Sequence, residues 1–358
     1  MAPKRMLMKG SEAIAEAAIR AGCHHFFGYP ITPQNEIPEY MSRRLPEVGG
    51  VFLQAESELA AANMLYGAGG AGVRVMTSSS SPGVALMAEA VSYMVGAEVP
   101  AVIVNIMRGG PGLGDIAPSQ GDWGMMTKGF GHGDLHLPVL APSTVQEAVD
   151  MMGLAFDLAD QYRTPAVLIG DGVIGQMMEP VVFSDKPPKV FEKSGWATTG
   201  KLPNRRRNII NSLHLDPEVM EQHVLRLFEK FRRIEEQEQR HESYRLDDHP
   251  ELVICAYGTT ARIARSAVDE LRKAGHKVGL FRPISAWPFP TRALEPVVEH
   301  TKVLFGVEMS MGQMVEDVRQ VVRGRRPVRF SGRVGGVVPS VEEIVGWVKT
   351  ELTAEAAA

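Results

Sequence analysis

Only two cysteines, Cys23 and Cys255, occur in 358 residues, and neither has a cysteine neighbour. A cubane iron–sulfur cluster is ordinarily held by four thiolates, so this chain alone is not expected to hold one. A disulfide framework is equally unsupported, which fits a reducing compartment. Positive charge is not in excess either: the formal net charge is −4, which argues against a nucleic-acid-binding surface. The basic clusters Arg205-Arg206-Arg207 and Arg323, Arg325, Arg326 are local and read as solvated or interface patches. Long apolar runs are missing; the longest, 101–107, is far too short to span a bilayer. The basic start MAPKRMLMKG leads into SEAIAEAAIRAG, an amphipathic run with Glu12 and Glu16, not the apolar core of a secretory signal. The expectation is a soluble, cytoplasmic protein whose partners include neither nucleic acid nor membrane.

What is present is ordinary globular composition, 44% hydrophobic and 22% charged, in a chain long enough for two domains. Short apolar runs alternate with helical periodicity in two regions, the pattern of a parallel, helix-covered sheet. In the first, the spacing predicts a helix over 11–21 and strands at 25–28, 51–54, 73–77, 101–107, 138–141 and 166–169. Helices are predicted between them at 58–67, 84–95 and 145–161. From 184 to about 203 the pattern breaks into Lys, Pro, Ser and Gly, a linker. Residues 216–245 then read as one long charged helix, with Asp216 and Pro217 as N-cap and first-turn pair. Its narrow apolar stripe suits a brace or subunit contact, or an ordinary exposed helix. Strands at 252–257, 278–281 and 303–307, with helices at 261–273 and 313–322, mark a smaller second α/β region.

Several motifs invite chemistry and then fall short of it. Gly110-Pro111-Gly112-Leu113-Gly114 follows a strand but continues as DIAPSQGDWG, loop chemistry rather than the helix opening of a dinucleotide fingerprint. Gly170-Asp171-Gly172 resembles the start of a magnesium–diphosphate motif. The 195–200 stretch where the partnering asparagine belongs contains none, so the motif reads as a strand-to-loop turn. His132 and His136 are spaced i, i+4, but in a glycine-rich context that does not force both onto one face.

Three positions are more informative. Tyr29-Pro30-Ile31-Thr32-Pro33 sits directly after a predicted strand, where ligands collect in open α/β sheets, and its prolines restrict the backbone around the Thr32 hydroxyl. Glu58 opens a helix whose next residues, Leu59-Ala60-Ala61-Ala62, leave little to solvate a carboxylate; a buried carboxyl is suited to sharing a proton. A plain acid at a helix start is the simpler alternative. Arg108 ends an apolar strand and enters the glycine loop, where a guanidinium grips a carboxylate bidentately or closes a structural salt bridge.

Taken together, GYPITPQNEIPEYM, QAESELAAANMLYGAGGAGVRVMTSSSSPG, VPAVIVNIMRGGPGLG, LIGDGVIGQMMEP, VEMSMGQM and GRVGGVVPSVEEIV resemble the pyrimidine-binding, alpha-type subunit of the 2-oxoacid:ferredoxin oxidoreductases. The resemblance covers nearly the whole chain in the family's order. The tract SGWATTGKLPNRRRNIINSL favours the 3-methyl-2-oxobutanoate (2-oxoisovalerate) type, with the 2-oxoglutarate type as the alternative.

This resemblance implies a two-domain α/β fold. A thiamine-diphosphate pyrimidine-binding-type parallel-sheet domain would span 1–183, a linker and charged helix 184–248, and a smaller transketolase C-terminal-like α/β domain 249–358. It implies Glu58 facing the pyrimidine ring nitrogen as the catalytic acid, and Thr32 and Arg108 binding substrate. Thr32, Pro30, Glu58, Ser80 and Ser81 would line the cofactor, with no metal ligand in this chain. Thiamine diphosphate would be shared with a diphosphate-binding thiamine subunit. Mg2+ and [4Fe–4S] clusters would reside on that subunit and on an iron–sulfur ferredoxin-like subunit, with ferredoxin, coenzyme A and the 2-oxoacid completing the partners. Two rival readings remain: a nicotinamide-dependent dehydrogenase built on the glycine loops, and a non-catalytic scaffold or sensor with the same fold.

Overall fold

An uninterrupted apolar run is the signature of a strand covered on both faces, and Val75–Ser79, Val102–Met107 and Ala166–Asp171 are buried at every position. In the computed structural model, which describes residues 5–201 and 203–357, these strands form the centre of a seven-stranded sheet. Its order is Ser285–Trp287, Val139–Leu140, Ala166–Asp171, Val102–Met107, Val75–Ser79, His25–Gly28, Val51–Gln54. Neighbours are parallel except for Ser285–Trp287, which arrives antiparallel from the second half of the chain. Two groups of helices cover the sheet. Gly10–Arg20 packs against both Glu36–Glu47 and Val145–Tyr162, and Glu58–Gly70 packs on Ala88–Gly96. A second sheet runs Val328–Gly332, Val303–Glu308, Leu252–Cys255, Val278–Pro283, His241–Tyr244, parallel but for the last.

Several expected elements differ in extent. Helix Glu36–Glu47 was hidden by Pro38 and Pro46; Pro38 falls in the first turn, where no intrahelical N–H is needed, and Pro46 at the end. The helix expected over 84–95 is two, Ser81–Ala85 and Ala88–Gly96. The helix expected over 216–245 is Pro217–Gln237, started by the Asp216 carboxylate accepting from Glu218 N at 2.9 Å. It stops where Tyr162 Oη holds Gln237 and Glu238 at 3.0 and 2.6 Å. Arg240 N then donates to Ser285 Oγ at 2.9 Å, drawing the chain out extended into strand His241–Tyr244. The helix braces the first region: Leu227, Phe231 and Ile234 are buried. His136 stacks on Trp287 with ring centroids 4.9 Å apart and meets Phe228 and Phe231 edge-on, so it is a packing residue. Burial pushes its imidazole pKa down.

The two sheets meet across a polar seam whose members are paired and mostly buried, as buried polar groups must be paired. Gln120 Nε2 donates to Tyr257 O at 2.8 Å, and its Oε1 accepts from Thr260 Oγ1 and Met309 N. Trp123 Nε1 donates to Asp317 at 2.7 Å. Arg282 holds Glu147 and Glu242. Asp171, of the Gly-Asp-Gly motif, caps the short helix Gly172–Gln176 through Val173 N and Ile174 N and accepts from Thr259 Oγ1 at 2.9 Å. The motif is therefore a helix cap and domain clamp rather than a strand-to-loop turn, and burial pushes the Asp171 carboxyl pKa up. No helix among the described residues is long and apolar enough to cross a membrane.

Candidate active site

Four segments leave the carboxyl ends of neighbouring parallel strands and converge, the place where open α/β sheets bind ligands. They are the 29–35 loop, the 55–57 turn, the 80–83 segment and Arg108, following His25–Gly28, Val51–Gln54, Val75–Ser79 and Val102–Met107 respectively. Local chemistry sets each one. Ser57 caps helix Glu58–Gly70, its Oγ accepting from Ala60 N at 3.2 Å, and the next residue, Glu58, is only 5% exposed. The Glu58 carboxylate accepts from Ser79 Oγ at 3.3 Å. Gly83 lies against it so closely that a Cβ there would stand 2.1 Å from Glu58 Oε1. Glycine at 83 is what lets the 80–83 turn approach the acid.

The serines beside it are not equivalent. Ser80 is fully buried and its Oγ has no hydrogen-bond partner. Ser81 is held in the left-handed region, φ 24°, where a side chain is strained. Its N donates to Asn105 Oδ1 at 3.1 Å and its Oγ to Asp122 Oδ2 at 2.6 Å. Asn105 Nδ2 also donates to Asp122, at 2.9 Å. Burial pushes the Asp122 carboxyl pKa up, against these two hydrogen bonds. The same Ser81 Oγ accepts from Arg108 N at 3.0 Å, so this network fixes where the arginine leaves its strand.

Arg108 is 7% exposed and makes no ion pair among the described residues. The structural salt bridge considered from sequence is thus replaced by main-chain contacts. Its Nη1 donates to Thr32 O at 2.9 Å and its Nη2 to Leu113 O at 3.1 Å, fastening the 29–35 loop to the glycine loop. Its Nε is buried without a partner, so a fork with five N–H donors still has donors to give. Thr32 is half-buried, its Oγ1 accepting from Asn35 Nδ2 at 3.3 Å, and Pro30 is exposed. The glycine loop itself continues as turns, with helix Trp123–Lys128 only beginning beyond it. It therefore lacks the helix start a dinucleotide needs.

Sequence reasoning missed Gln34, Asn105 and Asp122. Gln34 is buried, takes a hydrogen bond from Ser78 Oγ and donates to Tyr29 O at 3.5 Å, holding the proline loop to the next strand. A glutamine directly after a proline-bounded loop and an asparagine inside an apolar strand were the available signals. Next to Arg108 a cleft of about 460 Å³ opens at the seam, with Ser81, Arg108 and Asp122 on one side and Met309, Ser310 and Gln313 on the other. The second wall is held by buried Glu308, which accepts from Ser310 Oγ and from the N–H groups of Gln313, Met314 and Val315. Desolvation pushes the Glu308 carboxyl pKa up despite these bonds.

Residues 16–243 match the family described as pyruvate flavodoxin/ferredoxin oxidoreductase, thiamine-diphosphate-binding, and residues 250–344 match pyruvate:ferredoxin oxidoreductase core domain II. The chain is an alpha-type subunit of the 2-oxoacid:ferredoxin oxidoreductases. It is 46% identical to the ketoisovalerate oxidoreductase subunit VorB of Methanothermobacter thermautotrophicus, over 95% of this chain and 98% of that one. It is 35% identical to the 2-oxoglutarate synthase subunit KorA of Archaeoglobus fulgidus, over 97% and 99%. Among solved structures it superimposes on 2-oxoglutarate:ferredoxin oxidoreductase from Magnetococcus marinus with a TM-score of 0.89 at 26% identity, covering 98% of this chain. It spans 65% of that longer chain. A split-gene transketolase shares the fold at a TM-score of 0.59.

The site of this oxidoreductase subunit suits the pyrimidine end of thiamine diphosphate. The site offers a buried carboxylate with one donor, Glu58, and, on the segment that presses against it, a buried hydroxyl with no partner, Ser80; an aminopyrimidine brings both a ring nitrogen and an amino group. Among the described residues no three His, Cys, Asp or Glu side chains gather as a metal site. Asp171, the one motif aspartate, has its Oδ1 engaged at the seam.

Proposed function

We propose that this chain is the pyrimidine-activating subunit of a coenzyme-A-acylating 2-oxoacid:ferredoxin oxidoreductase whose substrate is 3-methyl-2-oxobutanoate. The observation that carries the proposal is the buried Glu58 carboxylate, pressed by Gly83 and met by a single hydroxyl. Thiamine diphosphate, when bound, supplies the electron sink for decarboxylation. Glu58 holds and returns a proton at the pyrimidine ring nitrogen, and the water-poor pocket strengthens that exchange. Ser80 Oγ, the unpartnered hydroxyl, contacts the ring, whereas Ser81 is occupied in positioning Arg108. Arg108 directs its spare donors at the 2-oxoacid carboxylate, and Thr32 with Pro30, on the loop that Arg108 Nη1 holds, lines the same site.

The branched-chain substrate is favoured by the identity to VorB and by Leu113 and Ile116, apolar side chains 84% and 63% exposed on the loop that Arg108 holds. A diphosphate-binding subunit carrying Mg2+ supplies the rest of the thiamine site. An iron–sulfur subunit passes electrons to ferredoxin, and the assembly works in the cytoplasm. A panel of 2-oxoacids assayed by viologen reduction on the co-expressed complex tests the reading. We expect 3-methyl-2-oxobutanoate to give the highest kcat/KM. A preference for 2-oxoglutarate moves the chain to the alternative substrate, and no reduction with any 2-oxoacid returns it to a scaffold.

A further inference from the structure

An aspartate that opens a helix ordinarily turns its side chain back to accept from the second or third N–H of the first turn. Asp122 opens helix Trp123–Lys128 and does not do so. Its backbone, at φ −105° and ψ 7°, is not the extended conformation of a self-capping residue. Its carboxylate instead accepts from Ser81 Oγ at 2.6 Å and from Asn105 Nδ2 at 2.9 Å. The N–H that Asp122 leaves without a cap, Gly124 N, donates to Gln313 Oε1 at 2.7 Å. The second domain therefore supplies the cap of this helix. Gln313 Nε2 donates in turn to Gly121 O at 2.6 Å, so one amide grips the chain on both sides of Asp122.

The rest of this short segment is held from the same side. Trp123 is fully buried with its ring centroid 4.5 Å from that of Tyr257, and its Nε1 donates to Asp317, which also pairs with Lys128. Gln120 N donates to Met309 O and its Oε1 accepts from Met309 N, both at 2.9 Å. Gln313 precedes helix Met314–Val322 and is itself fixed, its N donating to buried Glu308 at 3.0 Å. From Asp122 the connection continues to the substrate arginine. Ser81 sits in a strained conformation, and its hydroxyl lies between the Asp122 carboxylate and Arg108 N. A hydroxyl has one proton to give. Donated to Asp122, it leaves the oxygen's lone pairs to Arg108 N at 3.0 Å, while Arg108 O stands 3.3 Å away as the competing acceptor. An unbroken series of hydrogen bonds thus joins Gln313 of the second domain to the main chain of Arg108 in the first.

We infer that Asp122 is a positioning residue through which the second domain, by capping helix Trp123–Lys128 with Gln313, sets the main chain of Arg108 and with it the enzyme's hold on the 2-oxoacid carboxylate. The inference rests on the reading of Arg108 as the ligand of that carboxylate. The test uses the co-expressed complex, with initial rates over a range of 2-oxoacid and amide hydrogen exchange read by mass spectrometry. Gln313→Ala should raise KM for the 2-oxoacid about 10-fold, the effect of one lost hydrogen bond, while kcat falls less than about threefold. Deuterium uptake should rise in the 80–83 and 106–109 segments, to which Gln313 makes no hydrogen bond, as well as in 121–128. Asp122→Asn keeps an oxygen acceptor without the charge, so its KM should lie between those of the wild type and Asp122→Ala. It carries the same readouts if Gln313→Ala does not assemble. Thr259→Val is the control: it loosens the seam at Asp171, outside this connection, and should leave KM within about twofold. In an Arg108→Ala complex, Gln313→Ala should raise KM no further, because changes that act through one group do not add. An unchanged KM in Arg108→Ala removes the reading of Arg108. A raised KM there, with Gln313→Ala and Asp122→Ala at the wild-type value, removes this inference alone. So does extra uptake confined to 121–128, an equal rise in KM for Thr259→Val, or full additivity with Arg108→Ala.

Discussion

Replacing Gly83 by alanine is the smallest change that acts on Glu58 without altering the acid itself. The added Cβ would stand 2.1 Å from Glu58 Oε1 and 2.3 Å from Ser79 Oγ, where ordinary contact begins at 3.4 Å. The carboxylate must therefore retreat by about 1.3 Å (3.4 less 2.1) or push the 80–83 turn back by as much. It cannot do so and also keep its hydrogen bond to Ser79, which is already 3.3 Å long. Misplacing a reacting group by about 1 Å costs on the order of 100-fold in rate, which is about 2.7 kcal/mol of barrier. Overpacking itself costs about 1–3 kcal/mol of stability, so the thermal midpoint of the complex is measured beside the rate. Gly67→Ala is the control. Its Cβ meets nothing within 4 Å and lies on the same helix as Glu58, so it should stabilise by about 0.5–1 kcal/mol and leave turnover alone. The assay is viologen reduction at saturating 2-oxoacid and thiamine diphosphate. A Gly83→Ala complex that keeps more than half the wild-type rate would show that the position of Glu58 is immaterial.

Glu58→Gln keeps the shape and loses the shared proton, so turnover should fall at least 1,000-fold while the melting temperature and subunit composition hold; near-normal activity would refute the assignment. Arg108→Ala should raise KM for the 2-oxoacid by 10-fold or more, with thiamine diphosphate affinity within about threefold. Equal loss of both, read by thiamine titration and initial rates, would mean that Arg108 serves only to fasten the 29–35 and 109–114 loops. Lys230 is pushed down to about 8, chiefly by burial and against the pull of Glu98. Between about 8 and the ordinary 10.5 the unfolded chain binds the proton that the folded chain has lost. Stability therefore rises as pH climbs through that window. Urea midpoints at pH 7.5 and 10 should move apart more in the wild type than in Lys230→Met, and an equal spread in both would count against the burial.

The central strands of the first sheet were legible because burial on both faces writes them as plain apolar runs: 101–107 and 166–169 were read within two residues of the observed Val102–Met107 and Ala166–Asp171. The family was legible because loops after consecutive strands carry Thr32, Glu58, Ser80, Ser81 and Arg108 in one order, and the fold brings those strand ends together. What stayed hidden depends on contacts distant in sequence. Strand Ser285–Trp287 completes the edge of the first sheet from the second half of the chain, with Ala141 N donating to Ile284 O at 2.8 Å. No periodicity in a segment of three residues announces that. Strand His241–Tyr244 was absorbed into a helix because its charged residues suit either state, and the Tyr162 and Ser285 hydrogen bonds decide. Asp171 was read from its motif, whereas its role comes from Thr259, 88 residues later.

Satisfaction of hydrogen-bonding groups separates the residues that hold this site from those that act in it. Gln34, Asn105 and Ser81 are buried and Asp122 is half-buried, and each spends polar atoms on neighbours within the chain. Removing any of them leaves a partner stranded, at a cost of about 1–3 kcal/mol. Ser80 Oγ and Arg108 Nε are buried as deeply and spend nothing, and the Glu58 carboxylate, with capacity for several donors, receives one. Native interiors rarely tolerate such groups without a use for them. The three follow strands of one side of the sheet and are interleaved with the satisfied set along the chain. That division separates Ser80 from Ser81, neighbours in a run of five hydroxyl residues: one keeps a free hydroxyl, which the proposed function gives to the cofactor, and the other fixes where Arg108 leaves its strand.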